Sequence, residues 1–283
     1  MRSLACPSRD EARDYLADAV EPYTHAGLSK GYAATGAELD SVVALYDAYD
    51  AGFGAPAEPL KGAGLTVELR NAIHNGYEFT QAGRKLAAIR ANLMAGVELC
   101  PVCGIAPPRE LDHHLPRSTY HALAVYPRNL VPLCHDCNHS KSKSVADDPA
   151  ERFFHPYLEE LPNVPFLRAT IIIHEGGLVA DYDIDPNAAI DAVVRARLAY
   201  VIERLKLNER YAREINIYLT SQVTAIRMSF AWAGPNGVRD YLLAQADVES
   251  ARFHLNHWQP VLLRSLAENV DFCDGAFADV LPA

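Results

Sequence analysis

The sequence lacks any apolar run approaching the roughly 20 residues that a membrane-spanning helix needs, which excludes a bilayer helix as its organising element. No export signal is expected either, since the start, MRSLACPSRDEARDYL, turns charged before an apolar signal core can form. The expectation is a cytoplasmic protein with no membrane partner. Positive charge is in short supply, with 26 Lys and Arg against 36 Asp and Glu and a net charge of −10. That balance argues against a protein coated in basic surface for nucleic acid, so any such contact must be local or helped by a partner. Internal repeats and low-complexity segments are also absent. What remains is an ordinary globular composition, 49% apolar and 22% charged, in a chain of 283 residues long enough to bury a substantial core.

Cysteine is sparse but organised. Cys100, Cys103, Cys134 and Cys137 form two CxxC pairs, while Cys6 and Cys273 stand alone and read as ordinary thiols. In a long chain without an export signal, paired CxxC knuckles read as a zinc site rather than a disulfide framework. Four thiolates close the tetrahedral shell of Zn²⁺ and leave no position for substrate, so this zinc is expected to be structural.

Around the knuckles the pattern is mostly helical. Helices are expected over residues 8 to 24, with Ser8 as N-cap, over 38 to 49, and over 67 to 94, where Arg84, Lys85 and Arg90 offer a basic edge. AGFGAPAEPLKGAG, 51 to 64, reads as a loop. FLRATIII (166 to 173) and LVADYDI (178 to 184) flank the turn signature HEGG and read as a β-hairpin. Asp185 and Pro186 then open a helix as N-cap and first-turn proline, and three more helical stretches follow at 208 to 230, 236 to 254 and 258 to 270. The expected fold is mainly α with a small central α+β module. It divides into a helical N-terminal region (1–95), a zinc-framed module (96–160) and a β-hairpin with a helical C-terminal region (161–283).

Between the knuckles, in CPVCGIAPPRELDHHLPRSTYHALAVYPRNLVPLCHDCNHSKSK (100 to 143), lie Asp112, His113, His114 and Asn129, with Asn138 directly after the second knuckle. The order DHxLP, NLVPLC and CxxCNxxK resembles the HNH, or ββα-metal, endonucleases of the type framed by a CxxC/CxxC zinc site. The resemblance covers about 45 of the 283 residues, and HPYLEELP with the following hairpin resembles some bacterial HNH proteins associated with phage defence. It implies Asp112 as a ligand of a catalytic metal, His113 as general base, Asn129 as the residue that holds the loop between strand and helix, and Asn138 as the second metal ligand. In colicin-type relatives a His-His pair supplies one ligand and one base, so His113 as ligand with His114 as base stays open. The spacing to Pro116 favours His113.

The residue types suit phosphodiester hydrolysis in their own right. An imidazole near its ordinary pKa of about 6.5 can take a proton from water, and one carboxylate with one amide oxygen forms a hard-oxygen shell suited to Mg²⁺ or Mn²⁺. Strand alternation turns His113 and His114 to opposite faces. Arg109, Arg117, Arg128, Lys141 and Lys143 outnumber Glu110, Asp112 and Asp136, with Lys141 and Arg117 the candidate phosphate contacts. His121, His135 and His139 are expected as surface or supporting groups, His155 as a turn-fixing residue, and Asp147 and Asp148 as caps on the motif helix. The expected activity is cleavage of DNA by an HNH endonuclease, with a protein partner or homo-oligomer and a role in phage defence implied by resemblance. A non-catalytic zinc-binding interaction module and an RNA-directed nuclease are the alternatives.

Overall fold

The computed structural model describes residues 1–143, 145–146, 148–174 and 177–281, so Asp147 and the middle of the HEGG turn lie outside the described residues. The N-terminal region packs α1 (Ala12–Val20), the short hairpin of β1 (Tyr23–His25) and β2 (Leu28–Lys30), α2 (Gly36–Ala51), α3 (Val67–Gly76) and α4 (Ala87–Met94). Helix α1 starts later than expected because Ser8 Oγ is occupied with Asp10, bonding its carboxylate and its backbone N–H, and does not cap the helix. Helix α2 starts earlier: Thr35 and Glu38 close a capping box around its first turn. The continuous helix expected over 67 to 94 is divided between α3 and α4. A 3₁₀ turn, Tyr77–Thr80, follows α3, and Gly83 adopts a left-handed φ of 76° between the two. Gly76 brings α3 against α1 so closely that a Cβ there would meet Ala19 Cβ at 2.8 Å.

The central module is an antiparallel pair, β3 (Glu110–His113) and β4 (Leu130–Leu133), followed by α5 (His135–Lys141). The register sets Asp112 opposite Val131 and His113 opposite Leu130. Helix α2 anchors this module from the N-terminal side: Tyr46 stacks on Tyr126 at 4.0 Å between ring centroids, and Asp50 accepts from Tyr126 Oη and Arg128 Nη1, both at 2.7 Å.

The C-terminal region opens with the expected hairpin of β5 (Leu167–His174) and β6 (Gly177–Ile184); β5 alternates between half-buried and exposed residues, and the second half of β6 between buried and exposed ones. Asp185 bonds Asn187 N in a turn, and α6 (Ala192–Arg204) begins later, where Asp191 caps the N–H groups of Val193 and Val194. Helix α7 (Leu207–Arg252) is interrupted at Ala233 and Gly234, whose dihedrals are not helical, ahead of Pro235. Its two arms fold back on each other: Tyr218 Oη reaches Glu249, and Tyr241 Oη reaches Gln222. Gly237 permits that approach, since a Cβ would meet Ser229 O at 2.2 Å. Trp232, at the bend, is 92% exposed. Helices α8 (Trp258–Glu268) and α9 (Phe277–Val280) complete the chain. The architecture is helix-rich with small two-stranded sheets, and no helix among the described residues is long and apolar enough to cross a membrane.

Candidate functional site

The four knuckle cysteines converge. Cys100, Cys103, Cys134 and Cys137 are all buried, and their sulfurs lie within 4.8 Å of one another, with Cys103 and Cys134 at 3.7 Å. Thiolates bound tetrahedrally at about 2.3 Å from a zinc ion stand about 3.8 Å apart, so the donor set and spacing fit a single ion. The first knuckle is shaped by Gly104 N bonding Cys100 O and by Cys100 N bonding Ala106 O. Crowding makes the sulfurs interdependent: hydrogen bonding from Cys100, foremost, holds the Cys103 thiol well below its ordinary value and brings Cys134 down to about 6. Among the described residues, this is the one group of three or more His, Cys, Asp and Glu side chains able to share a metal.

Strand β3 carries the acid and the histidine on different sides. Glu110 and Asp112, two residues apart, face α5. Asn138 Nδ2 and His135 Nδ1 bond Glu110, while Lys141 Nζ lies 2.8 Å from Asp112 Oδ2 and also donates to the carbonyls of His113 and His114 at 3.0 and 3.2 Å. Asp112 is 7% exposed, and burial raises its pKa against the pull of Lys141. Its Oδ2 has the ammonium near it but receives no well-directed hydrogen bond. Glu110 is the residue that sequence reading passed over. The available signal was its position two before Asp112 on the same strand.

His113 faces the other way, its ring 4.5 Å from Tyr77 and its Nε2 2.9 Å from Ala124 O. A carbonyl only accepts, so Nε2 carries the proton, and in the neutral ring Nδ1 is left with its lone pair. Burial pulls this imidazole down to about 3. His114 turns toward His155, 4.2 Å between rings, and lines a cavity of about 300 Å³ with Lys141, Phe53 and Arg197. Burial, then the neighbouring His155, lowers the His114 pKa well below its ordinary value.

The loop from His114 to Arg128 hangs on Asn129, which is 0% exposed. Its Oδ1 accepts from Leu115 N at 2.8 Å and Tyr49 Oη at 3.0 Å, and its Nδ2 donates to Leu115 O and Leu123 O at 3.1 and 3.2 Å. Behind it, His155 Nδ1 accepts from the N–H groups of Tyr157 and Leu158, so its Nε2 donates to Tyr49 Oη at 2.7 Å. His155 does fix a turn, as expected, and it also supports the loop through Tyr49.

The expected phosphate contacts are placed differently. Lys141 is buried on Asp112 and two backbone carbonyls. Arg117 lies over the Tyr77 ring and bonds Glu78 and His74 O, and Arg128 is held by Asp50. Of the expected basic edge, Lys85 pairs with Glu21 and Arg90 donates to Arg109 O. Asp148 caps the 3₁₀ turn Pro149–Glu151, not the motif helix.

The chain is similar to "Protein ea31" of Escherichia phage lambda, 27% identical over 197 residues. The similarity covers 65% of this chain and 66% of the phage protein. No protein-family model and no solved structure matches the chain.

Proposed function

We propose that this protein is a metal-dependent endonuclease of the HNH type that hydrolyses DNA phosphodiester bonds. The observation that carries the reading is His113: its Nε2 proton is committed to Ala124 O, which leaves Nδ1 as the proton acceptor at the end of the strand whose other side carries the buried Asp112 carboxylate. Asp112 Oδ2 is buried against Lys141 Nζ at 2.8 Å, so a metal ion there would take the place of the ammonium, and Asn138 lies across the same strand face through Glu110. Asp112 and Asn138 would hold Mg²⁺ or Mn²⁺, which would supply charge neutralisation on the phosphate. His113 would accept the proton of the attacking water, and Asn129 would keep the loop that carries Ala124 in place. The four cysteines would hold zinc as scaffold. A role in phage defence rests on the resemblance alone.

One observation favours a non-catalytic zinc module: Lys141 already neutralises Asp112. The test is digestion of supercoiled plasmid and of labelled RNA with Mg²⁺ or Mn²⁺. We expect DNA cleavage, lost by about 10²- to 10⁴-fold in His113→Ala with zinc content unchanged, and largely kept in His114→Ala. Cleavage of RNA alone would move the activity to the RNA-directed class. An inert wild type, or equal rates for wild type and His113→Ala, would sink the assignment.

A further inference from the structure

We infer that Arg210 is a working member of the four-cysteine centre, a positioning residue that offsets thiolate charge and governs how tightly the centre keeps its metal. The inference rests on reading the centre as a zinc site.

Arg210 stands in the first turn of α7, far along the chain from either knuckle, and its side chain is largely buried. Its Nη1 lies 3.3 Å from Cys137 Sγ and its Nη2 3.6 Å from Cys134 Sγ, so one guanidinium bridges both sulfurs of the second knuckle. The carboxylate nearest it, Asp136 Oδ2, is farther, at 3.8 Å, and exposed. The group therefore faces sulfur more closely than it faces carboxylate.

The chemistry explains why a fixed cation belongs there. Four thiolates around one divalent ion leave a net charge of about −2 in a buried place, and that charge needs a counterion. Guanidinium stays protonated at every relevant pH and presents N–H groups in a planar fork. N–H donors to a ligating sulfur lower its basicity, which opposes its protonation and its exchange into solvent. Lysine would supply a comparable charge without the two-sulfur geometry.

Residues near Arg210 in the C-terminal region hold the first knuckle. Tyr211 Oη donates to Cys103 O at 3.1 Å, and His257 Nε2 and Trp258 Nε1 both reach Gly104 O, at 3.0 and 3.2 Å. Gly104 has a left-handed φ of 66°, and a Cβ there would meet His257 Nε2 at 2.5 Å. The second knuckle is thus held through its sulfurs and the first through its backbone, both by the C-terminal region.

The experiment uses the full chain purified with its zinc. Release to an excess of a chromogenic chelator is timed for wild type, Arg210→Lys and Arg210→Met, and each is also loaded with Co²⁺ to record its thiolate charge-transfer band. We expect release faster by about 10- to 100-fold in Arg210→Met, an intermediate rate in Arg210→Lys, and a shifted cobalt band in both. Tyr211→Phe removes a bond to the knuckle backbone without changing charge and should leave the band unmoved. A release rate and band in Arg210→Met equal to wild type, whatever its melting temperature, would overturn the proposal. Should Arg210→Met not fold, Arg210→Lys decides by the same readouts. A wild type that holds no metal would instead remove the reading beneath it, a result distinguishable from metal held equally well by all variants.

Discussion

Asn129 commits both ends of its amide to the loop that carries Ala124, and its neighbours leave it no other orientation. Replacing it with Asp would keep the acceptor and delete the donor, leaving Leu115 O and Leu123 O unpaired in a buried site that also gains a charge. A loss of at least about 3 kcal/mol is expected from urea unfolding, against about 1 to 3 kcal/mol for Tyr49→Phe, which removes one hydroxyl. His155 supplies a pH dependence. Burial holds its pKa at about 3, below the ordinary 6.5, so between those values the unfolded chain binds the proton more readily. Its contribution is therefore complete above about pH 6.5 and declines as pH falls toward 3, by about 1.4 kcal/mol per unit at most. The test is the slope of the urea midpoint against pH. The slope should be shallower in His155→Gln, and equal slopes would show that this ring does not titrate as described.

At the scale of elements, the central module was legible through its two CxxC pairs and through the resemblance that the residues between them carry, which implied the strand bearing Asp112 and His113 and the helix after Cys134. His113 and His114, the latter just past the end of β3, also face different neighbours as expected, Ala124 O and His155. What could not be read was set by contacts distant in sequence. The break between α3 and α4 accompanies the packing of Gly76 on Ala19, and the role of Lys141 depends on α5 crossing β3 at Asp112. Nothing in the sequence sets Arg210 apart from the other charges of its helix, and only the fold brings it to sulfur. The buried α5–β3 pair gives a prediction of its own. Lys141→Met should cost about 3 to 5 kcal/mol by stranding the Asp112 carboxylate, and adding Asp112→Asn should recover part of that loss. Additive losses in the double variant would mean that the two groups do not depend on each other.

For the molecule as a whole, charge and connectivity matter most. The net charge is −10, and three of the five basic groups counted near the motif are engaged internally, Lys141 by Asp112, Arg117 by Glu78 and Arg128 by Asp50. Random duplex DNA should therefore bind the isolated chain with a Kd no tighter than about 10⁻⁶ M at physiological salt. Anisotropy titration of a labelled duplex would check this, and nanomolar binding would contradict it. If the proposed nuclease activity holds, efficient cleavage should then depend on a partner or a second copy of the chain that raises the local concentration of DNA.

The two tryptophans, finally, divide the molecule for spectroscopy. Trp232 is 92% exposed at the bend of α7, whereas Trp258 is buried with its indole N–H on Gly104 O beside the first knuckle. Emission from Trp232 should already sit near that of an indole in water and change little on unfolding. A red shift on metal removal would then originate at Trp258, giving an intrinsic optical signal for the knuckle. In Trp232→Phe the emission would come from Trp258 alone, and its maximum should lie to the blue of wild type.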